Sequence, residues 1–188
     1  MRVLIIVASK HGGTLEIGEA IASELRARGA IVEVRPVDEV STVRGHDAVV
    51  FGSAIYLGHW MREASWFVER HLAEFRSLPV WLFSSGPIGD PPLPTGDSAE
   101  AIRLCADVAA RGHRTFAGRL EMDSLGLGDH TVATMLCAPS GDFRRWDEVR
   151  AWAAETATAL TLDPVTVEPS GAVTQPQPLV DHLTETQS

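Results

Sequence analysis

The first fourteen residues, Met1-Arg-Val-Leu-Ile-Ile-Val-Ala-Ser-Lys-His-Gly-Gly-Thr14, constrain the fold more than any other stretch of the chain. Val3 to Val7 is an unbroken apolar run, as expected of a strand covered on both faces. It passes directly into a Ser/Gly/Thr loop, and helical spacing begins at Thr14. That succession gathers backbone N–H groups, hydroxyls and a helix N-terminus around one point, which suits a phosphate. The loop contains neither G-x-x-x-x-G-K-[ST] nor G-x-G-x-x-G. A mononucleotide is therefore expected in preference to a nucleoside triphosphate or NAD.

Beyond this unit, strand-like and helix-like runs alternate. Strands are expected over residues 2–8, 31–35, 47–53, 79–84 and 114–120. Helices are expected over residues 14–28, 62–75, 99–111 and 145–160, with a short one around 131–137. Ile17, Ile21 and Leu25 share one face of the first helix, and Gly29 closes it. The alternation predicts an α/β fold: a doubly wound, five-stranded parallel sheet in a three-layer sandwich. Its natural strand order is 2-1-3-4-5, which puts a ligand beyond the carboxyl ends of strands one and three.

A chain of 188 residues allows one domain, read as residues 1–160. Residues 161–188 contain no Lys or Arg, four carboxylates and four prolines, and they read as a disordered tail. The formal net charge of −9 argues against nucleic acid as a partner. Cys105 and Cys137 form no metal or redox spacing and read as free thiols in a reducing compartment. The apolar runs are too short for a signal peptide or a membrane span. The expected setting is the cytoplasm, with peripheral contact to a membrane and oligomer formation both left open.

The predicted topology brings three loops together, and all three have binding chemistry. The first is Ser9, Lys10, His11, Gly12, Gly13 and Thr14, where hydroxyls and glycines surround Lys10, the one lysine of the chain. Thr14 is expected to double as the helix N-cap. The second holds Ser53, Ala54, Ile55, Tyr56 and Gly58, with the chain's one tyrosine among small residues, as a flat aromatic ligand requires. Trp60 is expected to pack on the helix that follows, and His59 reads as a polar loop residue. The third holds Ser84, Ser85, Gly86 and Asp90, with Asp90 a candidate acceptor for a polar ring edge or a hydroxyl. No Ser-His-Asp spacing, metal-ligand spacing or paired carboxylates stand out. A phosphoacceptor module on the same fold would need an acidic residue at Gly52-Ser53, where there is none.

These residues, SKHGGT after strand one and FGSAIYLGHW after strand three, resemble the flavodoxin-like FMN-binding proteins. With RTFAGRL and GDFRRWDEVRAWA, the likeness is nearer to the flavodoxin-domain branch that includes menaquinone-dependent protoporphyrinogen IX dehydrogenase. The resemblance covers residues 1–160. It implies an FMN cofactor, with Ser9–Thr14 around the phosphate, 53–58 on one side of the ring and 84–90 on the other. It also implies an oxidoreductase working with a quinone or a redox partner protein, and with a small-molecule substrate. The other reading on the same fold is an electron carrier without substrate chemistry of its own. Residues 121–130 are small and acidic and offer nothing to an anionic tetrapyrrole.

Overall fold

The computed structural model describes residues 1–162 apart from Pro87, Pro92, Leu125, Leu136 and Cys137. The expected thiol at Cys137 and the expected tail from 163 onward lie outside the described residues. Strand β1 (Arg2–Ala8) leads into helix α1 (Gly13–Ala27) and strand β2 (Ile31–Pro36). A 3-10 turn at Val37–Glu39 precedes β3 (Ala48–Tyr56) and the short β4 (His59–Trp60). Next come α2 (Arg62–Arg70), α3 (Leu72–Phe75), β5 (Val80–Ser85), α4 (Ala99–Asp107) and β6 (Gly112–Phe116). The chain continues through β7 (Arg119–Leu120), α5 (Leu127–Met135), β8 (Gly141–Asp142) and α6 (Trp146–Leu162).

The five long strands run parallel in the order β2-β1-β3-β5-β6, which is the expected order with β4 set aside as an antiparallel flap on β3. The alternation of side chains along β1 explains the continuous apolar run. Val3, Ile5 and Val7 point to one face, where they meet Ile17, Ile21 and Leu25 of α1 and Val149 and Trp152 of α6. Leu4, Ile6 and Ala8 point to the other, among Phe51, Phe67, Phe75 and Leu104. Burying both sets fixes register, because a one-residue slip would exchange the two cores. Gly18 lets α1 lie close on the sheet, since a Cβ there would come 2.8 Å from Val7 Cγ2.

Several boundaries differ from the sequence expectation. The third strand continues through Tyr56, so residues 53–56 are strand and not loop. It turns at Leu57 (φ 51°) and Gly58 (φ 83°), both left-handed as a two-residue hairpin requires, and returns as β4. The expected helix 62–75 divides at His71. The expected strand 114–120 breaks after Phe116, and β7 leaves the main sheet to pair with β8. Helix α1 opens at Gly13 with a left-handed Gly12 as N-cap, so Thr14 sits inside the first turn and does not cap it. Helix α6 extends to Leu162, past the expected end at 160. Among the described residues no helix is long and apolar enough to cross a membrane.

Candidate functional site

The carboxyl ends of β1, β3 and β5 open into a cavity of about 1150 Å³. It sits where α1 leaves one face of the sheet and α2 the other, the switch point of a doubly wound fold. Of the residues singled out by sequence, Ser9, Lys10, His11, Gly13, Thr14, Ala54, Ile55, Tyr56, Gly58, Ser85 and Gly86 line it together.

At one end lies the first turn of α1. The first N–H groups of a helix have no intrahelical acceptor, and Gly12 supplies no side chain to cap them. Ser9 and Thr14, both hydroxyl-bearing, line this end beside Gly13. N–H groups and hydroxyls without a carboxylate among them form a donor set suited to an anion. At the other end the backbone itself is the floor. A Cβ on Gly86 would come 2.9 Å from Ile55 O, and one on Gly118 would come 3.2 Å from the Gly86 Cα. Tyr56, 41% exposed, and Leu57 stand over this floor on the hairpin.

Gly12, Ser53, Ser84 and Asp90 are not among the lining residues. Ser53 is fully buried; its hydroxyl donates to Ala54 O (2.9 Å) and accepts from Met61 N–H (3.0 Å), which ties β3 to the start of α2. Ser84, also fully buried, accepts from Trp60 Nε1–H (2.8 Å) and meets His113 Nε2 (2.9 Å). Asp90 is exposed at the tip of a small turn closed by Ile88 and Leu93, which carries it off the wall. From the same loop, Asp97 reaches the wall instead.

Asp97 is the exposed end of a polar chain whose inner members, Trp60 and Ser84, are buried. Its Oδ1 accepts from Thr115 Oγ1 (2.7 Å) and lies 3.2 Å from His113 Nδ1. The Trp60 indole can only donate, so Ser84 Oγ accepts from it, and His113 bridges from Ser84 through Nε2 to Asp97 through Nδ1. Burial pushes the Asp97 carboxyl up, but the bonds from Thr115 and His113 outweigh it and hold the group below its ordinary range. A second brace is Glu100, which accepts from Ser65 Oγ (2.7 Å), Trp60 N–H (2.9 Å) and His59. Burial again raises this carboxyl while the bonds together lower it further. His59 thus pairs across to α4 and does not line the cavity. Trp60 is buried edge-on against Phe51, at 5.6 Å. Burial, with the Asp97 charge, pushes the half-buried Cys105 thiol up to about 11, which leaves it a poor nucleophile.

Sequence reasoning missed Asp97, Arg62, Glu63, Gly118, Arg119 and Glu121 as lining residues. For Gly118–Glu121 a signal was present. Ala117-Gly118 interrupts RTFAGRL, and a glycine inside a strand pattern marks a break or a close backbone approach.

The model of the flavodoxin domain matches residues 4–145. The chain belongs to the flavodoxin-domain family. A flavodoxin from the domain Archaea superposes with a TM-score of 0.61 at 12% identity, covering 86% of this chain and 99% of that one. The two-electron reduced flavodoxin of Megasphaera elsdenii superposes with a TM-score of 0.55 at 18% identity, covering 81% and 98%. At these identities the likeness concerns the fold alone. Protoporphyrinogen IX dehydrogenase [quinone] of Escherichia coli (strain K12) is 31% identical over 86 residues, 45% of this chain and 48% of that protein. The chain thus spans about half the length of the curated relatives it matches. This flavodoxin domain supports a flavin oxidoreductase or electron-transfer role.

Proposed function

We propose that the chain is an FMN-dependent oxidoreductase whose cavity holds FMN and admits a second small molecule. The residues present fit the cofactor. Ser9, Gly13 and Thr14 offer donors to the phosphate, with Lys10 and His11 beside them. Ala54–Gly58 line one side of the ring, and Ser85 and Gly86 the other, where an added Cβ on Gly86 would run into Ile55. Ser53, Ser84 and Gly12 act from behind, bracing the strands and turning the helix mouth. A bound flavin supplies one- and two-electron transfer, and the protein supplies position and a water-poor setting.

Cavity volume supports an enzyme over a carrier. A pocket for one drug-sized ligand occupies about 300–1,000 Å³, and here the space is about 1150 Å³. The part beyond the loop and hairpin is walled by Arg62, Glu63, Asp97, Arg119 and Glu121, a mixture of both charges. The reading extends to a protoporphyrinogen IX dehydrogenase-like activity with a quinone as acceptor, in keeping with the E. coli relative. The test has two stages. Expressed protein is scanned for a flavin absorbance, and FMN is identified after denaturation; a colourless protein that ignores added FMN ends the proposal. Holoprotein is then given protoporphyrinogen IX and a quinone. Turnover supports the enzyme, whereas electron exchange with a reductase alone supports a carrier.

A further inference from the structure

Behind the anion end of the cavity lies a buried arginine that the function above does not use. Arg144 precedes α6, and its side chain is 3% exposed. Its Nε and Nη2 donate to the two oxygens of Asp142, at 2.8 and 2.7 Å. Its Nη1 donates to Glu16 Oε2 (2.8 Å) and to Gly13 O (3.2 Å), both in the first turn of α1. The guanidinium face stacks on Trp146, 4.5 Å from the ring centre. The other oxygen of Glu16 is held by Arg119 Nη2 at 3.0 Å. Gly13, Thr14 and Arg119 line the cavity, whereas Glu16, Asp142 and Arg144 do not.

We infer that Arg144 is a positioning residue for the phosphate end of the FMN site; the inference rests on the function proposed above. Two effects follow from the geometry. Arg144 grips Gly13 by its carbonyl, which fixes the Gly13–Thr14 peptide plane in the first turn of α1. It also occupies and neutralises Glu16. An unheld carboxylate in the first turn is attracted to the same positive helix end as a phosphate and repels a bound dianion. Only a planar, multiply donating group reaches Asp142, Glu16 and Gly13 at once, so lysine does not substitute.

The effect should be confined to the phosphate, which makes it separable from a general loss of structure. Full-length protein freed of flavin is titrated with FMN and with riboflavin, which lacks the phosphate. Arg144→Gln should weaken FMN about tenfold and leave riboflavin within about twofold, and Arg144→Lys should not restore FMN binding. Asp142→Asn takes one acceptor oxygen and the charge from the anchor of Arg144 at a residue that does not line the cavity, and should cost FMN about threefold with the same selectivity. This milder variant decides the matter if Arg144→Gln does not fold. Equal losses for the two flavins, or none for FMN, overturn the inference while the cofactor reading stands. Wild-type protein that binds neither flavin overturns both.

Discussion

Replacing Ser84 by alanine isolates what the polar chain contributes. The variant removes one oxygen from a fully buried site and strands two groups at once, the Trp60 Nε1–H and His113 Nε2. Trp60 is 4% exposed and the His113 side chain 8%, so water has little access to either. A buried polar group left without a partner costs about 1–3 kcal/mol, which puts the loss at about 2–6 kcal/mol for the pair. Against a whole-domain stability of about 5–15 kcal/mol this is large. With a urea m-value of about 2 kcal/mol/M, the midpoint should fall by about 1–3 M. The test is equilibrium urea unfolding at pH 7, followed by fluorescence and circular dichroism.

A double-mutant cycle sharpens the reasoning. Trp60→Phe deletes one donor while Ser84 still bonds His113, so alone it costs little beyond packing against Phe51. In that background Ser84→Ala strands one group in place of two. The Ser84→Ala penalty should therefore shrink by about 1–3 kcal/mol, well beyond the roughly 0.3–0.5 kcal/mol within which independent sites add. A Ser84→Ala loss under about 0.5 kcal/mol, or strict additivity with Trp60→Phe, would refute the chain as a structural brace.

Three further outcomes can be measured. Ser9→Ala with Thr14→Ala should weaken FMN binding by about 1–3 kcal/mol, if each lost hydroxyl leaves phosphate oxygens short of a donor; unchanged affinity by fluorescence titration removes the phosphate from this loop. The carboxyls of Glu74, lowered first by the Thr42 hydroxyl and then by Val43 N–H, and of Glu100 lie below their ordinary value of 4.5. Their stabilisation is complete above that value and is lost as pH falls through the folded values. Urea midpoints should thus drop steeply below pH of about 4.5, and less steeply in Glu100→Gln; parallel profiles for the two proteins contradict this. Leu57, 74% exposed at φ 51°, pays for a left-handed conformation. Leu57→Gly should raise stability by about 0.5–1 kcal/mol in thermal melts, and a lower melting temperature points to contacts that outweigh the backbone term.

Sheet order and the main wall of the site were legible because they depend on local rules. Continuous apolar runs identify strands covered on both faces, and helical spacing in between dictates the crossovers. The misses have a common physical origin. Ser53 and Ser84 have the residue type and chain position of ligand donors, but each hydroxyl is consumed by a partner distant in sequence, Met61 N–H and Trp60 Nε1–H. Nothing local separates a serine facing a cavity from one a residue earlier that faces the flap. Asp90 and Asp97 occupy the same Gly/Pro loop, and only the turn closed by Ile88 and Leu93 decides which reaches the wall. The hairpin at Leu57-Gly58 escaped notice because leucine rarely takes a left-handed backbone.

Arg119 and Arg144 follow from the same limit. Both lie in the segment after β6, where the strand–helix alternation ends and the chain folds back over the mouth of the sheet. The two short strands β7 and β8 pair only with each other, so they are held to the domain by side chains as well as backbone. Glu16 receives both arginines, Arg119 from β7 and Arg144 from just beyond β8. Glu16 and the Gly13 carbonyl on α1 therefore join the late β7–β8 segment to the early loop, and Phe143 N–H donates to Gly118 O to close the segment on itself. The segment around β7 supplies Arg119 and Glu121 to the outer wall of the cavity, beside Arg62 and Glu63 of α2 and Asp97. Changes at Asp142 or Arg144 should alter ligand binding without disturbing the order of the parallel strands.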